Sequence, residues 1–260
     1  MISGVDLREP LDPDVVDELR SVLLDRLVLF FRDQDISTEQ QLSLAQHFGP
    51  VMIPALAQDP SLPRVTIIDK ASAAGRKDYW HADGSQLSEP PLGAVLRSVR
   101  LPECGGDTCF ANMYAAYGAL SSPIRDFLDG LTAVHSFQSY SSKTSAVTCT
   151  HPVVRVHPET GRKLLNVNSS KTVRIAELQE QESDALLSFL FEHITSPKFQ
   201  CRFRWELNSI AFWDNRSVQH YPVSDYTERR IMHRVQIGGD RPFGPMETEG
   251  SDELERIAVL

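Results

Sequence analysis

Phe199-Gln200-Cys201-Arg202-Phe203-Arg204-Trp205, Ile210-Ala211-Phe212-Trp213, Ser217-Val218-Gln219-His220-Tyr221 and Arg230-Ile231-Met232-His233-Arg234-Val235-Gln236-Ile237 are four short runs separated by turn-forming stretches, the first of them Leu207-Asn208. Each run has strand length and is rich in aromatic and β-branched residues. Short strands separated by turns in this way suit a double-sheet jelly roll.

Val65-Thr66-Ile67-Ile68, Gly93 to Val99 and Thr108-Cys109-Phe110-Ala111 read as further strands, with turn chemistry in Cys104-Gly105-Gly106-Asp107. The N-terminal part reads helix, strand, helix. Asp12 caps a helix with Pro13 in its first turn, Leu27 to Phe31 is a buried strand, and Ser37-Thr38-Glu39-Gln40 is a capping box opening a second helix. A helical insertion is expected from about Met113 to Leu131, a mobile Ser/Thr-rich loop from Ser136 to Thr150, and an amphipathic helix from Glu177 to Thr195. The fold expected is mainly β with flanking helices. One domain is expected over residues 1–245, with an acidic tail over 246–260.

The chain has 260 residues, 41% hydrophobic and 23% charged, as expected for a globular protein. A net charge of −9 argues against nucleic acid as a partner. No apolar run is long enough to cross a membrane, and no signal peptide is seen at the start, so the expected location is the cytoplasm. The four cysteines form no C-x-x-C pair and read as free thiols, although Cys104 and Cys109 could be neighbours across a hairpin.

The chemistry is concentrated in His81-Ala82-Asp83 and His220. On a strand, His81 and Asp83 would share a face. Two imidazoles and one carboxylate with open positions form the donor set of non-haem Fe(II) oxygenases, and the lack of thiolates disfavours structural zinc. Arg230 follows His220 by ten residues and has the bidentate geometry to hold the far carboxylate of a keto acid, with Thr108 as a second donor. Arg234, four residues further along the same strand, faces the same side, whereas Arg229 reads as a solvated charge. His47, His135, His151, His157 and His193 have no partner at ligand spacing and read as structural or exposed.

Trp80-His81-Ala82-Asp83, Gly105-Gly106-Asp107-Thr108, His151-Pro152-Val153-Val154-Arg155, Trp213 to Tyr221 and Arg229 to Arg234 together resemble the taurine/α-ketoglutarate dioxygenase family over nearly the whole chain. The resemblance implies a double-stranded β-helix of cupin-like shape and a homodimer or homotetramer. It also implies His81, Asp83 and His220 as Fe(II) ligands and Arg230 with Thr108 on α-ketoglutarate. Arg234 is then the anchor for a small anionic substrate, a sulfonate, alkyl sulfate or aryloxyalkanoate, with O2 as the second cosubstrate. Lys171 is a further candidate for that pocket. Departures at Phe48 to Ala57, Arg76 to Tyr79 and Ser170-Lys171 imply retained iron and cosubstrate machinery with a rebuilt substrate shell. A cupin-like metal-dependent hydrolase is the alternative. It uses the triad but gives Arg230 and Thr108 no task.

Overall fold

The computed structural model describes residues 1–54, 61–73, 78–137 and 147–246. In chain order the elements are α1 (Pro13–Arg26), β1 (Val28–Phe31), α2 (Thr38–Gln46), β2 (Thr66–Lys70), β3 (Gly93–Arg100), β4 (Thr108–Asn112), α3 (Met113–Gly118) and α4 (Ser122–Leu128). There follow β5 (Thr132–Phe137), β6 (Val147–Pro152), β7 (Val154–Val156), β8 (Lys163–Leu165), β9 (Thr172–Ile175), α5 (Glu180–Ile194), β10 (Gln200–Phe203), β11 (Ile210–Asp214), β12 (Val218–Pro222) and β13 (Arg230–Ile237). The chain forms two compact units, one of Met1–Gly84, Glu89–Asn112 and Gln200–Asp240, the other of Ser85–Ser88, Met113–Phe199 and Arg241–Leu260.

The first unit is the jelly roll. Its larger sheet is antiparallel in the order β1-β11-β3-β13-β2, and its smaller sheet is β10-β4-β12. Aromatic rings bridge the two sheets. Phe30 of β1 stacks on Phe203 of β10 at 4.1 Å and meets Phe110 of β4 edge-on at 5.6 Å. Side-chain alternation on β13 sends Val235 and Ile237 into the core that Leu19, Leu23, Leu44 and Ala45 of α1 and α2 cover. The even-numbered Arg230, Arg234 and Gln236 belong to the opposite face. A register shift between Ile231 and Met232 against β3 bulges the strand next to Arg230.

Both N-terminal helices start as their sequences require. Asp12 accepts from the Asp14 amide with Pro13 in the first turn, and Ser37 and Gln40 cap each other reciprocally. Burial of α1 through Leu23 makes Leu23→Ala a loss of about 2–5 kcal/mol.

The second unit departs most from expectation. The single helix expected over 113–131 is two short ones, because Ser121 and Pro123 restart the helix at Ser122. The ends of the expected 136–150 loop are paired strand, with Phe137 opposite Val147 and Ser136 opposite Thr148, while its centre lies outside the described residues. α5 starts at Glu180 rather than Glu177, whose carboxylate instead takes bonds from the Thr132 amide and hydroxyl at the start of β5. The sheets β6-β5-β9 and β7-β8 were not anticipated.

Candidate active site

His81, Asp83 and His220 converge within the first unit, and their ligand atoms lie within 4.8 Å of one another. The local mechanism differs from the strand that was expected. Only His81 is in β geometry, in an isolated bridge with His220 through His81 N–H to the His220 carbonyl (3.1 Å) and His220 N–H to the His81 carbonyl (2.8 Å). Asp83 already lies in a turn. A side chain supplies the pairing that the missing ladder would have given. Asn215 accepts from the Asp83 amide (2.8 Å) and donates to the Asp83 carbonyl (2.9 Å) and the Pro91 carbonyl (3.1 Å). Asn215 is presented by the β11–β12 turn. There the Asp214 carboxylate takes the neighbouring Arg216 amide and guanidinium in a fully buried bidentate pair.

The donor geometry fits a metal. Asp83 Oδ1 is 3.7 Å from His81 Nε2 and 3.9 Å from His220 Nε2. Ligands about 2.1 Å from an octahedral metal sit about 3 Å apart, so small side-chain rotations complete the site. The His81 Nδ1 donates to the Tyr79 carbonyl at 2.9 Å, which fixes the tautomer and leaves the Nε2 lone pair for a metal. Burial, reinforced by the His81 ring and opposed by Asp83, brings the His220 pKa down to about 3, so the ring is neutral at pH 7 and able to ligate. For Asp83, burial pushes upward. The Arg234 guanidinium, then the His220 and His81 rings, outweigh it and bring the pKa down to about 2.

Arg230 and Thr108 lie where a cosubstrate needs them. A cavity of about 150 Å³ is lined by His81, His220, Thr108, Arg230, Arg234 and Trp213, among others. Thr108 Oγ1 accepts from the Trp205 indole at 3.0 Å, so the hydroxyl proton remains available to another acceptor. The Arg230 guanidinium carbon lies 5.9 Å from both the Trp205 and Tyr226 ring centres. Gly106, at φ +75°, passes so close that a Cβ there would stand 3.0 Å from Arg230 Cδ and Nε. The Gly106 amide donates to Asp225 (2.7 Å), whose other oxygen takes Arg202 at 3.3 Å, and Arg202 also holds Asp107 at 2.6 Å. The Gly-Gly-Asp turn is thereby tied to the segment that carries Tyr226.

Arg234 is in the cavity but engaged, its Nη1 2.8 and 2.9 Å from the two Asp83 oxygens. Arg229 pairs outward with Asp69, in keeping with an exposed charge. Lys171 lies in the second unit, its ammonium 3.6 Å above the Phe137 ring. In that unit His135, His151 and His157 are buried structural residues. The four cysteines, three in the first unit and Cys149 in the second, are free. Sequence reading missed Asn215, Trp205 and Gln236. Gln236 follows Arg234 by two on a strand, and that spacing alone puts it on the cavity face.

The sequence matches the family described as taurine catabolism dioxygenase TauD, TfdA family over residues 2–236. The chain belongs to the TauD/TfdA family. It is 36% identical to the α-ketoglutarate-dependent sulfate ester dioxygenase of Pseudomonas putida over 264 residues, covering 94% of this chain and 87% of that protein. A taurine dioxygenase structure from Burkholderia xenovorans superposes with TM-score 0.84 at 39% identity, covering 93% of this chain and 88% of that one. The structure of AAD-2 in complex with Mn(II) and N-oxalylglycine gives TM-score 0.80 at 31% identity, covering 92% and 93%. The family's reaction uses Fe(II), α-ketoglutarate and O2, which is consistent with the N2O donor set of His81, Asp83 and His220. These relatives lend no support to the hydrolase alternative.

Proposed function

We propose that this TauD/TfdA-family dioxygenase oxidises a C–H bond of a small organic anion. One O2 oxygen goes into the substrate and the other into succinate, with release of CO2 from α-ketoglutarate. The observation that carries the reading is one cavity lined by His81, His220, Thr108, Arg230 and Arg234, with Asp83 held against the two imidazoles. His81, Asp83 and His220 would hold Fe(II), which supplies O2 activation coupled to oxidative decarboxylation of α-ketoglutarate. Arg230 and the free proton of Thr108 bind and orient the far carboxylate, and the Trp205 and Tyr226 rings limit water around that ion pair.

Arg234 is proposed for the substrate's anionic group. Its buried Nε has no hydrogen-bond partner among the described residues, so a donor remains for a second anion while Nη1 holds Asp83. Lys171 is kept as a second candidate for that anion. The substrate classes put forward are organosulfonates, alkyl sulfates and aryloxyalkanoates, in keeping with relatives named as sulfonate, sulfate ester and 2,4-dichlorophenoxyacetate dioxygenases. Where the oxidised carbon carries the leaving group, the hydroxylated product collapses to a carbonyl compound and releases it.

A single catalytic domain over 1–245 is part of the proposal, supported by a family match that runs through both units. So are a cytoplasmic location, which the free cysteines favour, and a homodimer or homotetramer. Among the described residues no helix is long and apolar enough to cross a membrane.

Succinate release with Fe(II), O2 and a panel of these three substrate classes tests the proposal. Strong stimulation by one class is expected. No succinate from any of them, with iron and α-ketoglutarate bound, would overturn the reaction assignment.

A further inference from the structure

Asp83 is restrained at both ends, and the two restraints do different jobs. Asn215 pins its backbone on the amide and the carbonyl together, so what remains free is rotation of the side chain. Rotation of a carboxylate about its last torsion is soft and two-fold, so nothing intrinsic decides which oxygen faces a metal. Arg234 does not decide it either, because its Nη1 is nearly equidistant from the two oxygens at 2.8 and 2.9 Å. Gln236 breaks the symmetry. Its Nε2 donates to Oδ2 alone, at 3.1 Å, while Oδ1 is the atom 3.7 and 3.9 Å from the two imidazole Nε2 atoms. Gln236 is itself held in place by β13, where it pairs with Ala94 of β3 and its carbonyl accepts from the Met52 amide at 2.9 Å.

We propose that Gln236 is a positioning residue that keeps Asp83 a one-oxygen ligand by occupying Oδ2. The consequence lies in the count of open positions. A triad of three single-atom ligands on a six-coordinate metal leaves three positions, two for the chelating atoms of α-ketoglutarate and one for O2. A carboxylate that swings to bind through both oxygens takes one of them. The metal and α-ketoglutarate then still bind, and the position for O2 is lost. Gln236 therefore acts on turnover rather than on affinity. This inference rests on the metal reading of His81, Asp83 and His220.

The test uses Mn(II) as the metal and water-proton relaxation as the readout of exchangeable waters, in the native protein and in Gln236→Leu and Gln236→Met. Both substitutions remove the donor without adding a charge, and the second keeps an unbranched side chain of similar length should the first fail to fold. The native protein is expected to hold three exchangeable waters and each variant two, a fall of about one third in the relaxation enhancement. In turnover, KM for α-ketoglutarate is expected to stay within about twofold while kcat falls by about tenfold or more. Three waters in the variants would overturn the inference and leave the metal site standing. So would loss of Mn(II) binding in both folded variants, because Gln236 would then be holding the carboxylate in place rather than choosing between its oxygens. Native protein that binds Mn(II) no better than His81→Ala would instead overturn the underlying site.

Discussion

Arg230→Met removes the guanidinium that is proposed to hold the far carboxylate of α-ketoglutarate, while keeping much of its length and apolar bulk. The size of the effect follows from where Arg230 sits. It is 6% exposed, between the Trp205 and Tyr226 rings, so water screens the ion pair little. A hydrogen bond to a charged group contributes about 1.5–3 kcal/mol, and a bidentate pair supplies two. Discounting for water that enters the space left behind, a loss of about 3–4 kcal/mol is expected, which raises the α-ketoglutarate requirement by about 10²–10³-fold. Thr108→Val, which removes a neutral donor, is expected to cost about 0.5–1.5 kcal/mol, at most about tenfold. The assay is initial-rate succinate release against α-ketoglutarate concentration with the primary substrate saturating. The anchor predicts a large rise in KM with kcat recovered at high α-ketoglutarate, and a much smaller rise for Thr108→Val. An unchanged KM in Arg230→Met would refute the reasoning.

Other expectations follow from the same geometry. His81→Ala and Asp83→Ala each lose Fe(II) binding and turnover, checked by equilibrium dialysis of the metal. Gly106→Ala forces a side chain into φ +75° and against Arg230, so it should destabilise the fold by about 1–2 kcal/mol and also raise the α-ketoglutarate KM, read by thermal unfolding and kinetics. Burial, aided by the His151 ring, brings the His135 pKa from 6.5 down to about 3. The unfolded chain therefore takes up a proton that the native state refuses as pH falls below 6.5, and stability drops from there toward pH 3. The slope is up to about 1.4 kcal/mol per pH unit. His135→Phe should flatten that acid dependence in pH-resolved denaturant titrations, and an unchanged slope would contradict it. Trp205→Phe should raise the α-ketoglutarate KM modestly in the native protein and add little when made on top of Thr108→Val, because it acts through the hydroxyl that Thr108→Val removes.

How much of this was legible in the sequence differs between the two units. The runs read as β11, β12 and β13 were recognisable because aromatic and β-branched residues fill strand-length segments with turn residues between them. β13 was placed at its observed bounds, Arg230–Ile237. Strands β5 and β6 escaped notice because Ser136, Thr148, Cys149 and Thr150 carry no apolar alternation, β9 because its partner β5 is distant in sequence, and β7 and β8 because each is only three residues long. The three metal-ligating side chains were visible from residue type, but how they meet was not. A strand was expected to carry both His81 and Asp83, whereas the chain turns after one bridge and Asn215 supplies the missing pairing 132 residues away. The bond from Arg234 to Asp83 was invisible for the same reason, since a guanidinium in a sequence does not show which anion it faces.

The central claim is that one cavity holds a metal through His81, Asp83 and His220 and α-ketoglutarate through Arg230 and Thr108. Anaerobic addition of Fe(II) and then α-ketoglutarate, followed by the visible charge-transfer absorption of the chelate, tests it without need of the primary substrate. The account predicts the absorption in the native protein, its loss in Asp83→Ala, and its appearance in Arg230→Met only at much higher α-ketoglutarate. An absorption unchanged in Asp83→Ala, or absent from the native protein, would contradict it.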